Sequence, residues 1–90
     1  MNKIILFYSK FNKDSVKIKN QLLNFNTKIT IEVQETTEKN IEVNNFKINN
    51  VPSIIFIKKN KIIDFLEKDI LFKDVEYIIN NSYKKKYIFF

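Results

Sequence analysis

The sequence predicts an α/β domain: a four-stranded mixed sheet flanked by three helices, in the order β-α-β-α-β-β-α. Three observations predict it. Residues 4–8 and 54–57 are unbroken apolar runs of strand length, the signature of strands covered on both faces. Apolar residues elsewhere recur at helical spacing. Pro52, the only proline, stands two residues before the second apolar run. A proline cannot donate to a sheet ladder, so it belongs at the first residue of a strand or on an edge.

Ile4-Ile5-Leu6-Phe7-Tyr8 makes a central strand. Residues 9–12 break it, and 13–25 read as a helix whose buried stripe is Ile18, Leu22 and Phe25 at i, i+4, i+7. Lys13, Lys17, Asn20 and Asn24 fall on a solvated face, and Val16 and Leu23 lie off the main stripe. Asn12 or Asp14 is the expected cap. Residues 26–34 alternate, with Ile29, Ile31 and Val33 on one side and Lys28, Thr30 and Glu32 on the other, which suits a strand near a sheet edge. Residues 36–48 carry a weak helical pattern anchored by Ile41 and by Phe46 or Ile48, with Thr36 or Thr37 as cap.

Val51-Pro52-Ser53 then opens the third strand, and the X-Pro bond there is one that tolerates a cis geometry. Lys58-Lys59-Asn60 is a short turn, with Asn60 the residue best suited, after glycine, to a left-handed position. The return over 61–65 makes 53–65 a β-hairpin. Asp69 is the expected cap of a last helix over 70–82, with Leu71, Val75, Ile78 and Ile79 facing inward. The first two strands, joined through a helix, are expected to be parallel with a right-handed crossover. Residues 1–83 then form one domain, and 84–90 a basic, aromatic tail.

Composition removes whole classes of chemistry. The 90 residues include no cysteine, histidine or glycine. Without cysteine there is no disulfide, thiolate metal site or thiol catalysis. Without histidine the commonest general base and metal ligand is missing. Without glycine, the phosphate loops of nucleotide-binding folds are excluded. The sequence thus predicts a non-enzyme without cofactor or metal. No apolar run approaches the roughly 18 residues of a membrane span, and the apolar start is too short for a signal peptide, so the expected compartment is intracellular and cytoplasmic. Ile, Lys and Asn make up about half the chain, and Gly, Ala, Arg and Trp are missing. Ile, Lys and Asn have AT-rich codons, and the simplest cause is an AT-rich genome, such as that of many large DNA viruses, some protists or some small-genome bacteria. The net charge of +6 comes entirely from lysines spread along the chain except at 84–86. Nucleic-acid binding ordinarily clusters its basic residues and uses arginine for base contacts, so nucleic acid is not the expected partner.

Three local patterns, in this order and separation, resemble the thioredoxin/glutaredoxin superfamily over residues 3–82. Phe7-Tyr8-Ser9-Lys10-Phe11 is similar to the family's first strand and the aromatic before its active site. Val51-Pro52-Ser53-Ile54-Ile55-Phe56 is similar to its cis-proline and the strand after it. Lys58-Lys59-Asn60-Lys61-Ile62-Ile63 resembles its Lys-Asn-Gly-type hairpin, with Asn60 where glycine is usual.

The departures fall on the chemistry. Asn12-Lys13-Asp14-Ser15 occupies the register of the family's Cys-x-x-Cys, and a serine hydroxyl takes no part in thiol–disulfide exchange. Leu6 stands where thioredoxins carry a buried acid, and Asp64-Phe65-Leu66-Glu67 lacks the glycines by which glutaredoxins hold glutathione. The resemblance therefore implies a redox-inactive scaffold that retains a peptide groove. Carried over, that groove is Phe11, Asn12, Lys13, Val51 and Pro52, where an extended partner segment would pair in strand fashion. The tail, Lys84, Lys85, Lys86, Tyr87, Ile88, Phe89 and Phe90, is a second candidate contact with a partner protein, and is too short to anchor stably to a membrane surface by itself.

The leading functional expectation is a non-catalytic thioredoxin-like protein-binding or structural module. Given the composition, one version is a small structural, minor-capsid or assembly component of the virion of a large DNA virus. The alternatives are a lysine-rich nucleic-acid-binding accessory protein, and an enzyme that binds an anion at Lys13, Asp14 and Ser15.

Overall fold

A computed structural model describes residues 1–36, 41–43 and 45–83. Strands β1 (Lys3–Tyr8), β2 (Thr30–Glu35), β5 (Ser53–Lys58) and β6 (Lys61–Glu67) form one mixed sheet in the order β2-β1-β5-β6. Helix α1 (Lys13–Leu23) joins β1 to its parallel neighbour β2. The other two pairings are antiparallel, with Phe7 opposite Ser53 at one end of the β1–β5 ladder and Lys3 opposite Ile57 at the other. Helix α2 (Phe72–Ser82) follows β6.

The alternation along the central strands builds a core on each face of the sheet. Ile4, Leu6, Ile54 and Phe56 point toward the helices and pack with Ile18 and Leu22 of α1 and Val75, Ile78 and Ile79 of α2. Phe25 and Phe72 close this layer edge to face, with ring centroids 5.5 Å apart. Ile29, Ile31 and Val33 pack against the same layer, and β2 lies at the sheet edge, as the alternation at 26–34 predicts. Ile5, Phe7, Ile55 and Ile57 point the other way.

What covers that second face differs from expectation. A helix is predicted over 36–48; instead Ile41–Val43 (β3) and Phe46–Ile48 (β4) form a separate antiparallel hairpin, so the described residues contain two helices rather than three. The reason lies in local chemistry. Ile41-Glu42-Val43 and Phe46-Lys47-Ile48 each alternate at period two, β-branched residues favour strands, and Asn45 takes a left-handed φ of 66°. The expected anchors Ile41, Phe46 and Ile48 still face the core, with Ile48 fully buried and Phe46 edge-on to Phe65 at 4.7 Å. The proposed Thr37 cap lies outside the described residues, as does Asn44.

The β5–β6 connection is a two-residue turn with both Lys59 (φ 52°) and Asn60 (φ 66°) left-handed. The chain start braces it: Asn2 Oδ1 accepts the Lys59 N–H at 3.0 Å, and the Met1 carbonyl accepts the Asn60 N–H at 3.2 Å. Helix α2 begins at Phe72 with Leu71 as N-cap and no side-chain capping bond. Asp69 is therefore not the cap, and Leu71, expected inside, is 54% exposed. At the other end of α2, Lys58 Nζ donates to the Ser82 carbonyl at 2.9 Å, placing a cation at the negative end of the helix dipole. Tyr83 follows, its hydroxyl 2.9 Å from the Ile57 carbonyl and 3.1 Å from the Lys3 carbonyl.

Candidate functional site

The antiparallel β1–β5 pairing brings the two segments that carry the predicted groove residues to one end of the sheet. Because Phe7 stands opposite Ser53, the loop leaving β1 and the segment entering β5 emerge at the same end of the sheet. Phe11, Asn12 and Lys13 lie on the first, and Val51 and Pro52 on the second.

The β1–α1 turn is held by hydrogen bonds at each step. The Asn12 side chain caps α1, accepting the Ser15 N–H at 3.0 Å, and its own N–H donates to the Ser9 carbonyl at 3.1 Å. Ser15 is fully buried, and its Oγ accepts the Ser9 N–H at 2.9 Å. Asn12 and Ser15, at the two ends of the four-residue stretch, thus hold the turn in shape. A buried Ser15 hydroxyl is not presented to a ligand, which removes it from the Lys13, Asp14, Ser15 anion site considered from sequence. Phe11 is the reverse case: 77% exposed, with Lys10 Nζ 5.3 Å from its ring centroid.

Across from this turn, the Val51–Pro52 peptide bond is cis. Pro52 is buried, and its carbonyl accepts the Lys68 N–H at 2.9 Å. The Ser53 hydroxyl donates to the Asn50 carbonyl, and Asn50 Nδ2 donates to Glu67 Oε2 at 3.1 Å. These bonds tie the loop before β5 to the end of β6. Val51 packs its side chain on the hairpin-side core. Among the described residues, neither its N–H nor its carbonyl takes a backbone partner. A free donor and acceptor next to a fixed proline is the arrangement that strand-like pairing with a second chain needs.

Pro52 also forms part of a cleft of about 320 Å³ that runs between α1 and the β6–α2 loop. Lys17, exposed as its solvated face predicts, lines this cleft together with Asp69, which is not the expected cap, and Leu71, which is not in the core. The signal that finds them is the register of the β5–β6 hairpin, which sets Glu67 opposite Ser53 and so brings 68–72 beside Pro52.

The tail residues Lys84, Lys85, Lys86, Tyr87, Ile88, Phe89 and Phe90 lie outside the described residues. The last residue before them, Tyr83, is fixed beside Lys3 and Ile57, at the end of the sheet opposite Val51. Among the described residues no helix is long and apolar enough to cross a membrane.

The described residues define a small α/β domain with a four-stranded mixed sheet and two helices on one face. No family model, curated protein or solved structure matches the chain significantly.

Proposed function

We propose that the chain is a thioredoxin-like domain without redox chemistry that serves as a protein-binding or structural module. The carrying observation is the free backbone pair of Val51 beside Pro52, at the end of the sheet where Phe11 stands exposed. The strand order β2-β1-β5-β6, with only the first pair parallel, supports the fold assignment. The replacement of the chemistry supports the non-catalytic reading: Asn12 and Ser15 are engaged in capping and turn closure. In this reading an extended segment of another protein adds itself along Val51, with Phe11 as a flanking apolar contact and Lys13 at the rim. The tail 84–90 supplies a second contact with the partner. A small component of a viral particle or assembly machine is one setting that fits such a module and this composition.

The test is a quantitative pull-down from the native source with the full chain, with Phe11→Ser, and with a chain ending at residue 83. Phe11 is exposed, so its replacement leaves the core untouched. The expected result is one partner at fixed stoichiometry, weakened by Phe11→Ser and by loss of the tail. No stoichiometric partner with the full chain refutes the proposal.

A further inference from the structure

The cleft beside Pro52 has a composition that specifies what enters it. One wall is a single face of α1, with Asp14, Lys17, Ile18 and Gln21 spaced i, i+3, i+4, i+7. The facing wall is the segment 68–72, where Lys68 takes a left-handed φ of 63° and is pinned to the Pro52 carbonyl through its N–H. Ile18, Pro52, Ile70, Leu71 and Phe72 give it an apolar lining, and Leu71 is an exposed apolar side chain held at its rim by the start of α2.

Each wall carries one acid and one lysine: Asp14 with Lys17, and Lys68 with Asp69. None of the four belongs to the ion pairs of the described residues, which are Lys3–Glu32 and Lys10–Glu35. The chain as a whole is at +6, yet the charges of this cleft cancel. A polyanion meets Asp14 and Asp69 there, and a polycation meets Lys17 and Lys68 as well as the net charge. The volume is at the lower end of the roughly 300–1,000 Å³ of ligand cavities, room for one large side chain and its neighbours.

We infer that the cleft takes one large apolar side chain, leucine, isoleucine or phenylalanine, from an extended partner segment whose neighbouring residues carry charges of both signs. The inference rests on the reading of Val51 as a strand-pairing site, because Pro52, the next residue, lines the cleft. Pairing at Val51 supplies affinity without regard to sequence, and the cleft supplies the choice of residue.

The experiment pans a random heptapeptide library on the full chain and titrates the enriched peptide, and its glycine variant at the shared position, into isotope-labelled protein. The expected winners share one large apolar residue with an acid and a base close by. The amides of Val51, Ile18, Gln21 and Leu71 shift together, and the glycine variant binds at least about tenfold more weakly. Leu71→Ala, at an exposed position, narrows that ratio while leaving the shift at Val51. Winners without a shared apolar residue, or shifts at Val51 that leave Ile18, Gln21 and Leu71 unmoved, overturn the inference and leave the strand-pairing reading standing. A library without enrichment overturns both.

Discussion

Tyr83→Phe removes one hydroxyl and keeps the ring that packs against the helix-side core. The hydroxyl lies 2.9 Å from the Ile57 carbonyl and 3.1 Å from that of Lys3, and with a single proton it donates to one of them at a time. The loss is therefore one net hydrogen bond, about 0.5–1.5 kcal/mol. A small domain of this kind has roughly 5–15 kcal/mol in total. The pH dependence is the sharper test. Partial burial, reinforced by the Asp64 carboxylate, pushes the phenol from 10.0 up to about 12. Between those values the unfolded chain has released this proton and the folded chain still holds it. The contribution is then complete below pH 10 and declines as the pH rises toward 12. A shift of that size corresponds to about 2.7 kcal/mol for a fully buried group. The half-exposed ring is screened by solvent, which reduces the expected decline to about 1 kcal/mol. Urea unfolding of both proteins at about pH 9 and about pH 11.5 measures it, since the two differ only in the Tyr83 hydroxyl and the comparison is between their losses. The wild type is expected to lose about 1 kcal/mol more than Tyr83→Phe between the two conditions. Equal losses refute the assignment of the hydroxyl as a buried donor.

Two further substitutions test the turns that shape the site. Asn12→Ala deletes the side-chain acceptor of the Ser15 N–H; thermal or urea unfolding is expected to show a loss of about 1 kcal/mol, and an unchanged midpoint would remove Asn12 as the cap of α1. Lys59→Asn keeps the left-handed position at φ 52° but fills it with a residue that tolerates it; the expected gain is a few tenths to about 1 kcal/mol in the same assay, and a loss would mean that the lysine side chain itself stabilises the turn.

The parts of the fold legible in the sequence are those where one local signal acts alone. Residues 4–7 of β1 and 54–57 of β5 are unbroken apolar runs, the stripe Ile18-Leu22 of α1 and the inward set Val75, Ile78, Ile79 of α2 keep helical spacing, and all are buried in the core. The stretch 41–48 misled because Ile41 and Ile48 are seven residues apart, a helical spacing, while the residues between them alternate. Period two wins there, since Asn45 at its left-handed position turns the chain back. Leu71 misled for a related reason. It fits the apolar stripe of α2, but the helix starts one residue later and leaves it at the mouth of the cleft. Of the candidate site, the sequence shows the turn 11–13 and the pair Val51-Pro52, which the β1–β5 register sets at one end of the sheet. Lys17, Gln21, Lys68 and Asp69 come together through the register of β6 against β5, a long-range pairing that no local pattern encodes.

The Tyr83 anchor also sets how the domain would respond to a mechanical load. Lys3 at the start of β1 and Tyr83 after α2 are joined directly through the tyrosine hydroxyl. A force pulling these two points apart would break that bond first, then the Lys58 hold on Ser82, and would peel α2 from the sheet from its end. With α2 released, the load would pass to Glu67 at the end of β6, at the opposite end of the sheet from Lys3, and the strand ladders would then be loaded in shear. Tension transmitted through these points would therefore release the helix before it reached Val51 and the cleft at the far end of the sheet.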